Sequence, residues 1–157
     1  MRTVLFVCTG NLCRSPMAAA ILRALLARDP LRADWRVLSA GLWAEEGLPA
    51  SPHAVAAMAE RGYSLEGHRS RPVTRELVEE ADLILGMTPH HVEALRLAFP
   101  QVADRVHLLA EMAGGSHGVE DPFGRSLTVY RAVAEELERL VTDGYASIVG
   151  TAESLKR

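Results

Sequence analysis

The run Thr3-Val4-Leu5-Phe6-Val7 is unbroken in its β-branched and aromatic character, and a few residues later the pattern becomes alanine and leucine at helical spacing from Ser15 to Arg28. A strand of that composition is buried on both faces, so layers of helix must cover it on either side. Pro16 suits a first helical turn, with Ser15 as cap. The alternation continues. Trp35 to Ala40 predicts a second strand closed by Gly41, and His53 to Arg61 a helix opened by Ser51-Pro52 and ended by Gly62. Thr74 to Ala81 predicts a short helix with Thr74 and Leu77 in a capping relation, followed by a strand from Asp82 to Met87. Thr88-Pro89 opens a helix to Phe99, Arg105 to Leu109 makes a fourth strand, and Leu127 to Leu140 carries apolar residues at helical spacing, among them Tyr130, Val133 and Leu137. Strands alternating with helices imply an α/β fold, one domain over residues 1–157, with a central four-stranded parallel sheet flanked by helices on both faces. There is no internal repeat, and Thr151 to Arg157 reads as a loosely held polar end.

Composition narrows the function. With 157 residues, 48% hydrophobic and 24% charged, the balance is that of a soluble globular protein. The net charge of −3 gives no reason to bind nucleic acid or an anionic membrane, so an anion site must be local. No apolar run approaches the about eighteen residues of a membrane span, and the start of the chain does not match a signal peptide, which points to the cytoplasm; a monomer is expected. Cys8 and Cys13 are the only cysteines, too few and too close for a disulfide scaffold. They have no histidine near them for zinc, and no metal or cofactor is expected. His90, His91, His107 and His117 read as ordinary residues.

Ligands of parallel sheets gather at the carboxyl ends of the strands. There the chain places Cys8-Thr9-Gly10-Asn11-Leu12-Cys13-Arg14-Ser15, a cysteine and an arginine five residues apart between strand and helix. The backbone N–H groups of such a loop, ending on the positive end of a helix, form a nest for a phosphate-like anion, with Gly10 as the residue that lets the backbone turn. Arg14 adds a planar fork of donors for two equatorial oxygens. The same donors favour thiolate over thiol, and the thiolate is the nucleophile. Ser15 is placed to donate to that sulfur, and Asn11 to brace the loop through its amide. A lone cysteine here would read as core filling and Arg14 as a solvated first-turn residue; it is their convergence with a glycine and a helix start that favours chemistry. The loop lacks the Gly-Lys-Ser/Thr ending of a nucleotide-hydrolysing loop.

These residues resemble the low-molecular-weight protein tyrosine phosphatases, whose loop is Cys-x5-Arg-Ser close to the N-terminus. The likeness extends through Ser39-Ala40-Gly41, Ala81-Asp82-Leu83-Ile84-Leu85 and Asp121-Pro122-Phe123-Gly124. Thr9-Gly10-Asn11, Pro52-His53-Ala54-Val55 and Gly115-Ser116-His117-Gly118 look most like the family's bacterial protein arginine phosphatase branch.

The resemblance implies a protein phosphatase acting on phosphorylated protein through a phosphocysteine, with Cys8 as nucleophile and Asp121 as general acid and then base. Pro122 stiffens the loop that carries the acid, and Phe123 offers a flat wall to the substrate. It further implies that His68 steadies the loop through Asn11, with Ser39 as a supporting hydroxyl; both also read as plain loop residues. Cys13 stands where the family pairs a cysteine with the nucleophile, so a reversible Cys8–Cys13 disulfide and a small residue at the helix start are both open readings. The related arsenate reductases need a further cysteine after Cys13, and there is none.

Leu12 departs from the arginine branch, which carries threonine there. An aliphatic side chain packs against a phenol ring and favours phosphotyrosine, while Phe123 in place of tyrosine points towards phosphoarginine. A phosphate-binding module without turnover is the non-enzymatic alternative. Tyr130 is a modification site or helix core.

Overall fold

A computed structural model describes residues 1–155. Thr3–Cys8 forms β1, and all of its side chains are buried, so the alternation along the strand requires cover on both faces. Arg14–Ala27 forms α1, Arg36–Gly41 β2, Pro52–Glu60 α2 and Arg75–Glu80 α3. Leu83–Gly86 forms β3, Pro89–Ala98 α4, Val106–Leu108 β4, Leu109–Met112 α5, Leu127–Asp143 α6 and Tyr145–Ser154 α7. The four strands make one parallel sheet in the order β2-β1-β3-β4.

The strand order places the site. The chain leaves β1 outward towards β2, then crosses back over β1 to β3. Loops leaving the carboxyl ends of β1 and β3 therefore diverge, which opens a crevice at that switch point. The register pairs Cys8 with Gly41 on one side and Val7 with Gly86 on the other, so Cys8 stands at the lip of the crevice.

Phe6, Leu5, Met17, Ile21, Leu22, Ile84, Leu85 and Leu95 are fully buried, and each such side chain contributes about 1.5–3 kcal/mol of hydrophobic stabilisation. In α1, Ala18 and Ala19 are also fully buried. Small side chains there let the helix lie close to the sheet and bring its first turn to Cys8.

Most element ends fall within a residue or so of the expected ones, and Thr74 Oγ1 accepts the Leu77 N–H as the capping pattern requires. Four expectations change. Gly41 is the last residue of β2, not a stop after it, because it pairs with Cys8. Ser15 does not cap α1: the helix starts at Arg14 behind Cys13 without a side-chain cap, and the Ser15 hydroxyl is used on Cys8 instead. The positive backbone φ of the loop lies at Asn11, at 58°, and not at Gly10. The expected loose end, Thr151 to Arg157, contains the close of α7, whose Ile148, Val149 and Ala152 are buried in the core; Lys156 and Arg157 lie outside the described residues. The sequence reading also passed over two short 3₁₀ turns, Pro30–Arg32 and Pro100–Arg105, and the single turn of α5.

Candidate active site

Residues Cys8, Thr9, Gly10, Leu12, Cys13, Arg14, Asp121 and Phe123 line a cavity of about 210 Å³ at the carboxyl end of β1. Among the described residues, the backbone N–H groups from Thr9 to Ser15 donate to no protein acceptor. A run of free donors ending on a helix N-terminus is an anion nest. A larger cavity, about 780 Å³, is lined by Arg23, His68, Arg69, Arg71 and others and includes none of the loop from Cys8 to Ser15. Its size is not matched by a nucleophile, so the smaller cavity carries the chemistry.

Cys8 is buried, and its Sγ lies 2.9 Å from Ser15 Oγ. Asn11 Nδ2 donates to Ser15 Oγ at 2.8 Å and to Ser39 Oγ at 3.0 Å. With its oxygen already accepting from Asn11, Ser15 can turn its hydroxyl hydrogen to the sulfur at 2.9 Å, nearer than the Ala40 carbonyl at 3.5 Å.

Asn11 is held from two more directions. Its Oδ1 accepts the Arg71 N–H at 3.0 Å, and its carbonyl accepts from His68 Nε2 at 2.7 Å. Burial pushes the His68 pKa down, against the pull of the Asn11 carbonyl, which suits a neutral ring donating through Nε2. These bonds hold Asn11 in a left-handed conformation that costs a side-chain-bearing residue about 1–2 kcal/mol. Gly41 completes the support from below: a Cβ there would stand 2.5 Å from the Thr9 carbonyl oxygen and 2.9 Å from the Asn11 nitrogen.

Arg14 is buried at the first position of α1 and reaches across the cavity. It donates to the Val119 carbonyl at 2.9 Å, and its other terminal nitrogen lies 3.5 Å from Asp121 Oδ2. The Val119 N–H in turn donates to the Met87 carbonyl at the end of β3. The Asp121 segment is thereby tied to the sheet and to the guanidinium at once. Asp121 Oδ1 accepts the Phe123 N–H at 3.1 Å, which folds the segment so that Phe123, 63% exposed, stands at the cavity mouth beside Leu12.

Cys13 points elsewhere. Its Sγ lies 3.1 Å from Ser51 Oγ and 3.3 Å from the Tyr130 hydroxyl. Burial raises its pKa. Burial and the bond to Cys13 also push the Tyr130 phenol up to about 12. Tyr130 is buried helix core, with its hydroxyl spent on this contact.

One residue read from the sequence as ordinary stands at the loop. His91 is buried, and its Nε2 lies 2.9 Å from Thr9 Oγ1. It follows β3, the strand beside β1, so the switch point brings it to the loop. The signal was Thr88 three residues before it: Thr88 caps α4 in a reciprocal box whose third residue is histidine, where the usual pattern has glutamate or glutamine.

A parallel sheet bearing a cysteine and arginine on one anion nest at its switch point defines a cysteine-dependent phosphatase. The family described as low molecular weight phosphotyrosine protein phosphatase matches residues 3–153, and the chain belongs to it. It is 45% identical over 139 residues to a protein-arginine-phosphatase of Bacillus subtilis, covering 88% of this chain and 91% of the relative. It is 37% identical over 136 residues to the low molecular weight protein-tyrosine-phosphatase Wzb of Escherichia coli, covering 87% and 88%. A crystal structure of a YwlE mutant from Bacillus subtilis superposes with a TM-score of 0.87 at 40% identity, covering 96% of this chain and 99% of that one.

Proposed function

We propose that residues 1–157 act as one domain that hydrolyses phosphotyrosine on proteins through a phosphocysteine at Cys8. The observation that carries this is the meeting, in one cavity, of the Cys8 sulfur, the free N–H groups from Thr9 to Ser15, and the Arg14 guanidinium with Asp121 at 3.5 Å. The thiolate attacks phosphorus and the bond from phosphorus to the substrate oxygen breaks. Arg14 and the loop donors hold the equatorial oxygens, where charge spreads. Asp121 gives its proton to the leaving oxygen, then as carboxylate takes one from the water that attacks phosphocysteine. Phosphate leaves and the Cys8 thiolate returns, its sulfur stabilised as a leaving group by the Ser15 hydroxyl. Asn11, Ser39 and His68 brace the loop. Cys13 is held as a thiol and could pair with an oxidised Cys8 and protect it only by turning from Ser51 and Tyr130.

Leu12 and Phe123 favour an aromatic substrate, since both offer apolar surface at the cavity where a phenol ring would lie. A second reading, phosphoarginine, draws on the 45% identity to the Bacillus subtilis protein-arginine-phosphatase. Action in the cytoplasm as a monomer, apart from nucleic acid and membrane, is part of the same proposal; the net charge of −3 gives no general attraction for nucleic acid or an anionic membrane, and no helix among the described residues is long and apolar enough to cross one. Turnover of phosphotyrosine and phosphoarginine peptides by the wild type and by Leu12→Thr tests the substrate. A wild type that prefers phosphoarginine overturns the phosphotyrosine assignment. Cys8→Ser tests the intermediate: it is expected to bind phosphate and release none from substrate, and appreciable turnover would rule out phosphocysteine.

A further inference from the structure

The hydrogen bonds around His91 settle where its proton lies. Nδ1 is 3.2 Å from the Thr88 backbone N–H and 3.0 Å from the Thr88 hydroxyl. A backbone N–H only donates, so Nδ1 presents its lone pair and a neutral ring carries its hydrogen on Nε2. Nε2 therefore donates to Thr9 Oγ1 at 2.9 Å. Arg14 reaches the same oxygen with a second N–H at 3.4 Å. A hydroxyl oxygen has two lone pairs and one hydrogen. Both neighbours of Thr9 Oγ1 are donors, so its own hydrogen is committed to neither, and Thr9 lines the cavity with Cys8, Arg14 and Asp121.

We propose that the Thr9 hydroxyl is a donor to the phosphoryl oxygens of the substrate, and that His91 is the positioning residue that turns its hydrogen into the cavity. This rests on the phosphatase reading of that cavity and adds to the backbone nest a side-chain donor from a different direction. Such a bond strengthens as charge gathers on the equatorial oxygens during transfer.

The surroundings keep His91 in the tautomer this needs. Burial, then repulsion from Arg14 and from His90, push its pKa down to about 4, with Asp121 pulling the other way. A protonated ring would place a hydrogen on Nδ1 against the Thr88 backbone N–H and break that half of the α4 capping box. Above about pH 4 the ring is neutral.

Kinetics of the intact chain on a phosphotyrosine peptide test the assignment. Thr9→Val keeps the shape and removes the hydroxyl; a hydrogen bond to a charged group predicts a fall in kcat/KM of about 10- to 100-fold, carried mainly by kcat, with Thr9→Ser retaining most of it. His91→Phe is expected to lower kcat in the Thr9 protein and to add nothing in the Thr9→Val protein, because it acts through Thr9. His91→Gln, which keeps an N–H donor on a similar reach, covers the case in which His91→Phe fails to fold and is expected to fall between wild type and Thr9→Val. Losses that multiply in the double variant would assign His91 a merely structural role and overturn the proposal, as would an undiminished Thr9→Val. A wild type inactive on both phosphotyrosine and phosphoarginine would instead overturn the phosphatase reading, and this one with it.

Discussion

Cys8 Sγ and Ser15 Oγ lie 2.9 Å apart, although one ends a strand and the other sits in the first turn of a helix. Asn11 supplies the other side of Ser15, so the hydroxyl hydrogen is directed at sulfur. Ser15→Ala removes a bond to what is, in the second chemical step, a leaving thiolate. Hydrolysis of phosphocysteine is expected to slow by about 10- to 100-fold, and single-turnover kinetics should show the intermediate accumulating. Slowing confined to the first step would place the hydroxyl's effect elsewhere.

Asn11 joins a left-handed φ of 58° to bonds with Ser15, Ser39, Arg71 and His68. Asn11→Ala loses the side-chain bonds and keeps the strain, whereas Asn11→Gly loses the bonds and relieves it. Denaturant unfolding should find the glycine variant the more stable by about 1 kcal/mol, and equal stabilities would show that the φ is not a cost.

Asp121 pairs with Arg14 from a half-exposed position, so the pair adds little to stability. Asp121→Asn is expected to change the unfolding free energy by less than about 1 kcal/mol while lowering kcat by about 10²- to 10⁴-fold. A large loss of stability with modest loss of rate would mean that Asp121 braces the loop and does not move protons.

Two glycines, Gly10 within the nest and Gly41 beneath it, should differ in tolerance. A Cβ on Gly41 meets backbone atoms at 2.5 and 2.9 Å, while one on Gly10 meets only Leu12 Cγ at 3.9 Å. Gly41→Ala is expected to displace Thr9 and Asn11, weakening phosphate binding and stability together, whereas Gly10→Ala should fold as the wild type does. Inorganic phosphate inhibition and thermal unfolding of the two variants check this.

His91 couples the site to pH. Its ordinary pKa of 6.5 falls to about 4 in the folded chain, so between those values the unfolded state binds more protons and stability declines as pH falls. The contribution is complete above pH 6.5 and is lost progressively towards pH 4, to a total of up to about 3 kcal/mol. His68, also shifted downward by burial, acts in the same direction. Denaturant unfolding across this window should show a shallower slope for His91→Gln; an unchanged slope would mean that His91 is not the group responsible.

Local patterns made much of this legible. The apolar run at β1, the Cys-x5-Arg spacing and the helix that follows are contiguous, and their chemistry acts over distances the backbone spans by itself. The caps at Thr74 and Thr88 are equally local. Gly41 was visible as a residue and misread as a stop, because its role is to let the Thr9 carbonyl pass close by, which depends on the pairing of β1 with β2. The left-handed turn falls on Asn11 and not on Gly10 because bonds from His68 and Arg71, some sixty residues away, offset its strain. The end from Thr151 looked polar and loose because its helical continuation from Tyr145, and the burial of Ala152 with Ile148 and Val149, depend on the core that receives them.

Sequence alone therefore determined the nucleophile's loop, the alternating α/β order and the family, since each is written in residue types at short spacing. Only the tertiary structure decided how Cys8 is served: by Ser15 as donor and not as cap, by Asp121 drawn in through Arg14 and Val119, and by His91 brought over Thr9. The reason is topological. The divergence of the loops after β1 and β3 gathers side chains from distant parts of the chain into one crevice, and no local pattern records which of them will meet.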